Sequence, residues 1–385
     1  MTLLILGLIL FVLLIVVHEY GHFLVAKRNG VEVEEFGVGF PPKIYGRKLG
    51  KGIFEGYYTI NLLPLGGFVK LKGEHDADKT KGAYGSVSTP AKLRIMLAGV
   101  AMNFIVAIFM FTVVAWVGMP QLVDNQFTVA SDTKISRSEA IAGYVNEGSP
   151  AANAGIKNGD IIQSVNGQQI SNREELKAAT KENAGTTVPV TYVRNGQAVT
   201  VDVSLLSAEE VAASQNTDNP KGYLGVSTSE YKLARSTWSA PIVAFGLAGQ
   251  FTWLTLKGLG SAIAHLGQAF ISAVTGNGQE AKQEASAASE NVSGPVGIFA
   301  ILRQGTTLGF QFVLFVIALI SLTLAIMNLL PIPALDGGRA FVTLLFRAMK
   351  KPLLPKTEEL IHGSGFAALM ILFVVISVVD VKRFF

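Results

Sequence analysis

Residues 9–26 read ILFVLLIVVHEYGHFLVA. The stretch is apolar except for His18, Glu19 and His22, which fall at the spacing of the H-E-x-x-H metal-binding pattern. Imidazoles and a carboxylate are costly in hydrocarbon and mark functional sites when they occur there. From Thr2 to Ala26 no other charge appears, so a reactive cluster is written inside a segment long enough to cross a bilayer. The segment lacks a basic leader and a small-residue cleavage site, and is read as a retained membrane helix rather than a signal peptide.

The rest of the composition agrees. Of 385 residues, 50% are hydrophobic and only 16% charged, which places the chain among membrane proteins. A net charge of +4 gives no reason to invoke a nucleic-acid partner. Cysteine is absent, so disulfides and thiolate metal sites are excluded and any metal must be held by His, Asp or Glu. Three further apolar runs, at residues 95–119, 312–335 and 364–379, complete four expected membrane helices. Lys and Arg crowd the loops between the first and second runs and between the third and fourth. By the positive-inside rule both loops are cytoplasmic, and both termini and the middle of the sequence lie outside. Residues 238–270 are apolar but interrupted by five glycines, Lys257 and His265, and are expected to lie on the outer surface as an amphipathic helix or helix pair.

The chemistry follows from spacing. His18 and His22, four apart, share one helix face and can reach one ion. Zinc lowers the pKa of a bound water to about 7, and Glu19 beside the first ligand can then take that proton and pass it to a leaving amine. Two histidines satisfied by hydrogen bonds at a helix end are the bland alternative. A catalytic zinc wants a third protein ligand. Asp336, in NLLPIPALDGG at residues 328–338, is the best candidate, although an Asp there could simply open a turn. Depth favours the ligand: at 1.5 Å per residue His18 lies roughly 24 Å into the membrane, and Asp336, after the third span, arrives at the same inner side.

The middle of the sequence is different in kind. Residues 123–227 are polar and rich in Gly, Asn and Ser. VPVTYVRNGQAVTVDVSLL at 188–206 alternates about Asn195-Gly196, a hairpin signal. GSPA at 148–151, AGIKNGDII at 154–162 and VNG at 165–167 resemble the bacterial PDZ family, and KGYLGV at 221–226 is similar to its carboxylate-binding strand in permuted order. Such domains accept an extended peptide or polypeptide terminus at a sheet edge.

Taken together, HEYGH, the ALDGG at 334–338 preceded by NLLP, and the intervening PDZ-like segment resemble bacterial site-2 proteases of the regulator-of-sigma-E type over essentially the whole sequence. The resemblance implies Zn2+ held by His18, His22 and Asp336, with Glu19 as the catalytic acid/base. It also implies a bacterial plasma-membrane location, an active site near the cytoplasmic side and an extracytoplasmic PDZ domain. The substrates it implies are single-span membrane proteins cut within the bilayer, of the anti-sigma-factor or remnant-signal-peptide type. Asn328 matches an Asn that could hold a substrate backbone or oxyanion, or could equally make an interhelical hydrogen bond. LPLGGFVKLKGE at 63–74 resembles a membrane re-entrant β-hairpin with Gly66 and Gly67 at its bend, and GVAMN at 99–103, with Asn103, resembles a second-helix motif; Gly66, Gly67 and Asn103 are assigned to substrate positioning. SGPVGI at 293–298 also looks familial. The expected organisation is 1–122 (helices one and two with the hairpin), 123–227 (PDZ), 228–297 (outer amphipathic and linker region) and 298–385 (helices three and four). The rival readings are a membrane-anchored zinc protease of soluble or misfolded proteins and a non-catalytic PDZ scaffold or ion-coupled transporter.

Overall fold

The computed structural model describes residues 2–194, 196–215, 220–290 and 294–384; Asn195 of the expected turn and Ser293 of SGPVGI lie outside them. The protein divides into two compact units, Met1–Thr112 with Ala244–Phe385, and Val113–Val243.

In the first unit, α1 (Thr2–Arg28) runs unbroken through the apolar stretch and closes on Lys27 and Arg28, cations that suit a helix C-terminus. β1 (Val33–Leu49) and β2 (Gly56–Leu71) follow as the arms of one long hairpin. Phe36, Gly37 and Val38 each face two partners, Val69, Phe68 and Gly67 on one side and Tyr58, Thr59 and Ile60 on the other, so the hairpin doubles back on itself. This enlarges the expected hairpin of 63–74. Residues 63–71 are its returning arm, and the chain turns back between Ile60 and Gly67, both of which pair with Val38, with Gly66 (φ 127°) in that bend and Gly67 at its exit. The outgoing arm is masked in sequence by Pro41, Pro42 and three glycines, residues that strands avoid.

α2 (Thr89–Met96) and α3 (Ala98–Val117) come next. α1 and α3 approach closely because Gly21 has no side chain: a Cβ there would lie 2.6 Å from the Ala98 carbonyl. Phe23 of α1 is fully buried in an aromatic cluster with Tyr20, Phe36 and Tyr58, ring centroids 5.6–5.9 Å apart. The cluster seats the β-hairpin on the helix turn that carries His18 to His22.

The second unit is a seven-stranded sheet of β3 (Met119–Pro120), β4 (Lys134–Val145), β5 (Ile161–Val165), β6 (Gln168–Gln169), β7 (Thr187–Arg194), β8 (Gln197–Ser204) and β9 (Val226–Arg235), ordered β3-β9-β4-β5-β7-β8 with β6 on β5. It also holds α4 (Pro150–Asn153), α5 (Arg173–Glu182) and α6 (Ala208–Ser214). β7 and β8 pair without slippage from Thr187↔Ser204 to Arg194↔Gln197. Alternate residues such as Val188, Val190 and Tyr192 enter a core shared with Leu176 and Ala179 of α5, the period-2 burial expected of a sheet with one solvated face.

The first unit resumes with α7 (Ala240–Val274), a single 35-residue helix, then α8 (Gly278–Glu290), α9 (Pro295–Gly305), α10 (Phe310–Leu329), α11 (Asp336–Ala348) and α12 (Pro355–Phe384). α10 stops at Leu329, earlier than the apolar run suggests, because Pro331 and Pro333 cannot continue a helix. It packs along α1 through Leu4, Leu14, Val313, Ile317 and Ile320. Among the described residues five helices, α1, α3, α7, α10 and α12, are long and apolar enough to cross a membrane. α12 exposes Phe366, Ile371, Phe373 and Val375, an apolar surface too large for water alone.

Candidate metal centre

One helical turn places the His18 and His22 rings together, each 8% exposed, with Nε2 atoms 3.3 Å apart. Asp336 is the first residue of α11, where the positive end of the helix favours a carboxylate. Its Oδ2 lies 3.1 Å from His18 Nε2 and 3.3 Å from His22 Nε2. These three side chains form the only group of metal-ligating donors within 4.8 Å of one another among the described residues.

The loop that delivers Asp336 is folded tightly on itself. A Cβ at Gly337 would sit 2.2 Å from the Leu329 carbonyl oxygen, and one at Gly338 would sit 1.9 Å from that of Ile332. Both positions therefore need glycine. Ala334 holds the left-handed φ of 81°, and its N–H donates to His362 Nδ1 at 3.3 Å. Strain at a non-glycine residue persists only where its surroundings impose it, and α12 supplies them through His362 and through Gly365 packed on Pro333.

Partners behind the ligands set their tautomers. His22 Nδ1–H donates to the Ile95 carbonyl at 2.7 Å, which leaves the Nε2 lone pair free for an ion. Asn103, 1% exposed, puts its amide 3.2 Å from His18 Nδ1, while its Oδ1 is buried without a hydrogen-bond partner. Amide oxygen and nitrogen are interchangeable in shape. With Oδ1 turned to the ring, it accepts the His18 Nδ1–H, the orphaned oxygen is satisfied, and His18 Nε2 is freed as a ligand. Gly99, one turn before Asn103 on α3, opens the remaining space. A Cβ there would lie 2.4 Å from His22 Nε2 and 2.6 Å from His18 Nε2.

Asp336 Oδ2 is likewise buried with no hydrogen-bond partner. Two imidazole nitrogens and a carboxylate oxygen, converging on a space that any larger residue at 99 would fill, fit a three-ligand zinc site with one open position. Glu19 is not part of this donor group. β2 passes beside it: Gly67 lets the strand approach, with a Cβ position 3.5 Å from Glu19 Cγ, and Val69 lines the same cavity. Glu19, His22, Asp336, Tyr84, Arg339 and Glu358 line a cavity of about 170 Å³.

The structure thus brings His18, Glu19, His22, Asp336, Asn103 and Gly67 together. Asn103 lies behind His18 rather than at a substrate, which corrects its expected role: the residue is deep in the α1–α3 contact, and its carbonyl also accepts from Ser321 Oγ. Gly66 is directed at Phe40, 2.8 Å from a would-be Cβ. Asn328 donates to the Leu324 carbonyl of its own helix at 3.0 Å and does not line the cavity. Sequence reasoning missed Gly99, although its spacing of four from Asn103 was visible. It also missed Asp76, which binds Lys92 at 2.5 Å and Arg347 at 2.8 Å and takes the Glu358 carboxylate on its N–H at 3.1 Å.

The model of the family described as peptidase family M50 matches residues 6–372. The chain belongs to peptidase family M50. Membership in this site-2 protease family makes it a zinc metalloendopeptidase. A Clostridium perfringens relative is 30% identical over 375 residues, 97% of each sequence. The zinc metalloprotease RasP of Shouchella clausii is 27% identical over 98% of each sequence. The regulator of sigma-W protease RasP of Bacillus subtilis is 26% identical over 98% of this sequence and 97% of its own.

Proposed function

We propose that this peptidase hydrolyses peptide bonds within membrane-spanning segments of other proteins, using His18, His22 and Asp336 as zinc ligands and Glu19 as acid/base. One observation carries the reading. Both halves of the centre belong to apolar helices or their immediate ends, His18 and His22 within α1 and Asp336 seven residues past the end of α10. A protease of soluble proteins would carry its motif on a helix outside the span.

The same contact supports four crossings rather than five. The C-terminal half of α1 and the loop that leaves the C-terminus of α10 both reach the metal centre. Only one crossing, α3, is compatible with that between them, because a crossing by α7 as well would bring α10 out on the opposite face. α7 is also the least apolar of the five long helices. Its Phe251 packs on Phe111 in the second half of α3 and Phe315 in the first half of α10, ring centroids 6.2 and 5.7 Å away; in this topology both are outer halves. With the basic loops inside, the centre lies toward the cytoplasmic side and the 123–227 segment, read as a PDZ domain, outside. The bilayer is then a bacterial plasma membrane, and segments of the anti-sigma-factor type are the substrate class.

Zinc, when bound, supplies Lewis acidity to the scissile carbonyl and lowers the pKa of water beside it. Glu19, beside the His18–His22–Asp336 group, would hold the proton given up by the attacking water and pass it to the departing amide nitrogen. A helical substrate shields its carbonyls in its own hydrogen bonds, so it must unwind. The β2 edge around Gly67 and Val69, which passes beside Glu19, offers backbone groups with which an unwound segment can pair.

The test is a purified, liposome-embedded enzyme with a single-span model substrate. Cleavage inside the span should cease with chelator and with Glu19→Gln while zinc stays bound, and Asp336→Asn should lose zinc. Wild-type cleavage by Glu19→Gln would refute the mechanism, and cleavage confined to soluble flanks would refute the intramembrane reading.

A further inference from the structure

In the second unit, a groove of about 260 Å³ runs between α5 and the first residues of β9. Its strand side is a free edge. β9 is covered by β4 along its length on one side, but on the other β3 reaches only Leu233 and Ala234, leaving Val226 to Thr228 open. Its closed end is the loop Lys221–Gly225, held in place by α6: Lys221 N–H donates to Ser214 Oγ at 2.9 Å and Gln215 Nε2 donates to the Lys221 carbonyl at 3.3 Å. The N–H groups of Gly222, Tyr223 and Leu224 find no acceptor among the described residues. Successive N–H groups in a loop form a nest for an anion.

The side walls carry a charge pattern that strand addition alone does not require. Arg173 and Lys177, four apart on α5, share the face that borders the groove, and Lys221 stands at its closed end. Among the described residues no Asp or Glu lines it. Neither Arg173, Lys177 nor Lys221 is in an ion pair among the described residues. Leu176 and Leu224, both buried, form its apolar floor.

We infer that this groove selects polypeptide C-termini that are acidic, with an apolar last residue and Asp or Glu two positions before it. This rests on reading the segment as a PDZ-type peptide site. Side chains alternate along an added strand, so the last residue and the one two before it face the same way, the first onto Leu176 and Leu224 and the second toward Arg173 and Lys177. A substrate trimmed outside the membrane to such an end would be retained on the enzyme.

The experiment uses the full-length protein in detergent micelles and fluorescent pentapeptides read by anisotropy: Ala-Ala-Glu-Ala-Val, its Gln and Lys counterparts at the third position, and the Glu peptide with an amidated C-terminus. The Glu peptide should bind about five-fold tighter than the Gln peptide at low salt, a gap expected from partly exposed ion pairs and narrowing as salt rises. The Lys peptide should bind more weakly still, and amidation should abolish binding. Arg173→Gln with Lys177→Gln should make the Glu and Gln peptides equal without weakening the Gln peptide. Equal binding of the Glu, Gln and Lys peptides would overturn the acidic preference and leave the peptide site standing. Failure of every free-carboxylate peptide to bind would overturn both.

Discussion

Gly99→Ala adds a single methyl group to α3 and should remove the metal. In the native structure that carbon would lie 2.4 Å from His22 Nε2, 2.5 Å from His18 Cε1 and 2.6 Å from His18 Nε2. Ordinary contact begins near 3.4 Å, so both rings must retreat by about 1 Å. Zinc sites tolerate deviations of only about 0.2 Å in ligand distance. Loss of an outer partner alone weakens metal binding about 10–100-fold, and displacing two of three ligands should exceed that, lowering zinc affinity more than about 100-fold. Helix propensity works the other way, since Ala is favoured over Gly in a helix by roughly 0.5–1 kcal/mol. The variant should therefore keep its helical circular dichroism, purify with little zinc by elemental analysis, and fail to cleave. Gly249→Ala on α7, where nothing lies within 4 Å of the new carbon, is the control and should keep its zinc. A Gly99→Ala enzyme that retains zinc through a chelator titration matching wild type would show that the space beneath the imidazoles is not where the ion sits.

Three further outcomes follow from the geometry. Asn103→Leu, which removes the acceptor for His18 Nδ1–H, should weaken zinc binding about 10–100-fold, whereas Asn103→Asp should restore most of it; equal affinities for the two variants would exclude the proposed amide orientation. Asp76→Ala leaves fully buried Lys92 and half-exposed Arg347 without their carboxylate, and should lower stability by about 3 kcal/mol, seen as reduced resistance to thermal unfolding at unchanged zinc stoichiometry. Burial raises the Asp132 carboxyl pKa, but hydrogen bonds from the side chains and N–H groups of Ser239 and Thr237 outweigh it and hold it well below the ordinary range. Its stabilisation is then complete above the ordinary carboxylate pKa of about 4 and is lost as pH falls through the lowered folded value. The melting-temperature gap between wild type and Asp132→Asn should be flat from pH 7 to pH 5 and shrink in stronger acid; a gap that widens on acidification would contradict this.

Much of the centre could be read from the sequence because its signals are local. His18 and His22 are related by one helical turn, and Asp336 is announced by prolines that end α10 and glycines that let the loop fold back on Leu329 and Ile332. What escaped depends on contacts between distant residues. Asp76 meets partners 16, 271 and 282 positions away, and nothing in its neighbourhood distinguishes it from a solvated loop residue. Gly99 looks like ordinary helix-packing glycine until the imidazoles are seen beneath it. β1 was hidden because Gly37, Gly39, Pro41, Pro42 and Gly46 contradict strand propensity, and tertiary pairing with β2 overrides them.

The two histidines differ in how their orientation can be lost. His18 leans on the side chain of Asn103, which one codon change can delete. His22 leans on the main-chain oxygen of residue 95, which every amino acid supplies. An alanine scan would report Ile95 only as a packing residue and would never expose its second duty. Mutational decay of the centre should thus be lopsided, entering through the His18 side, while the His22 side yields only to changes that shift α2 as a body.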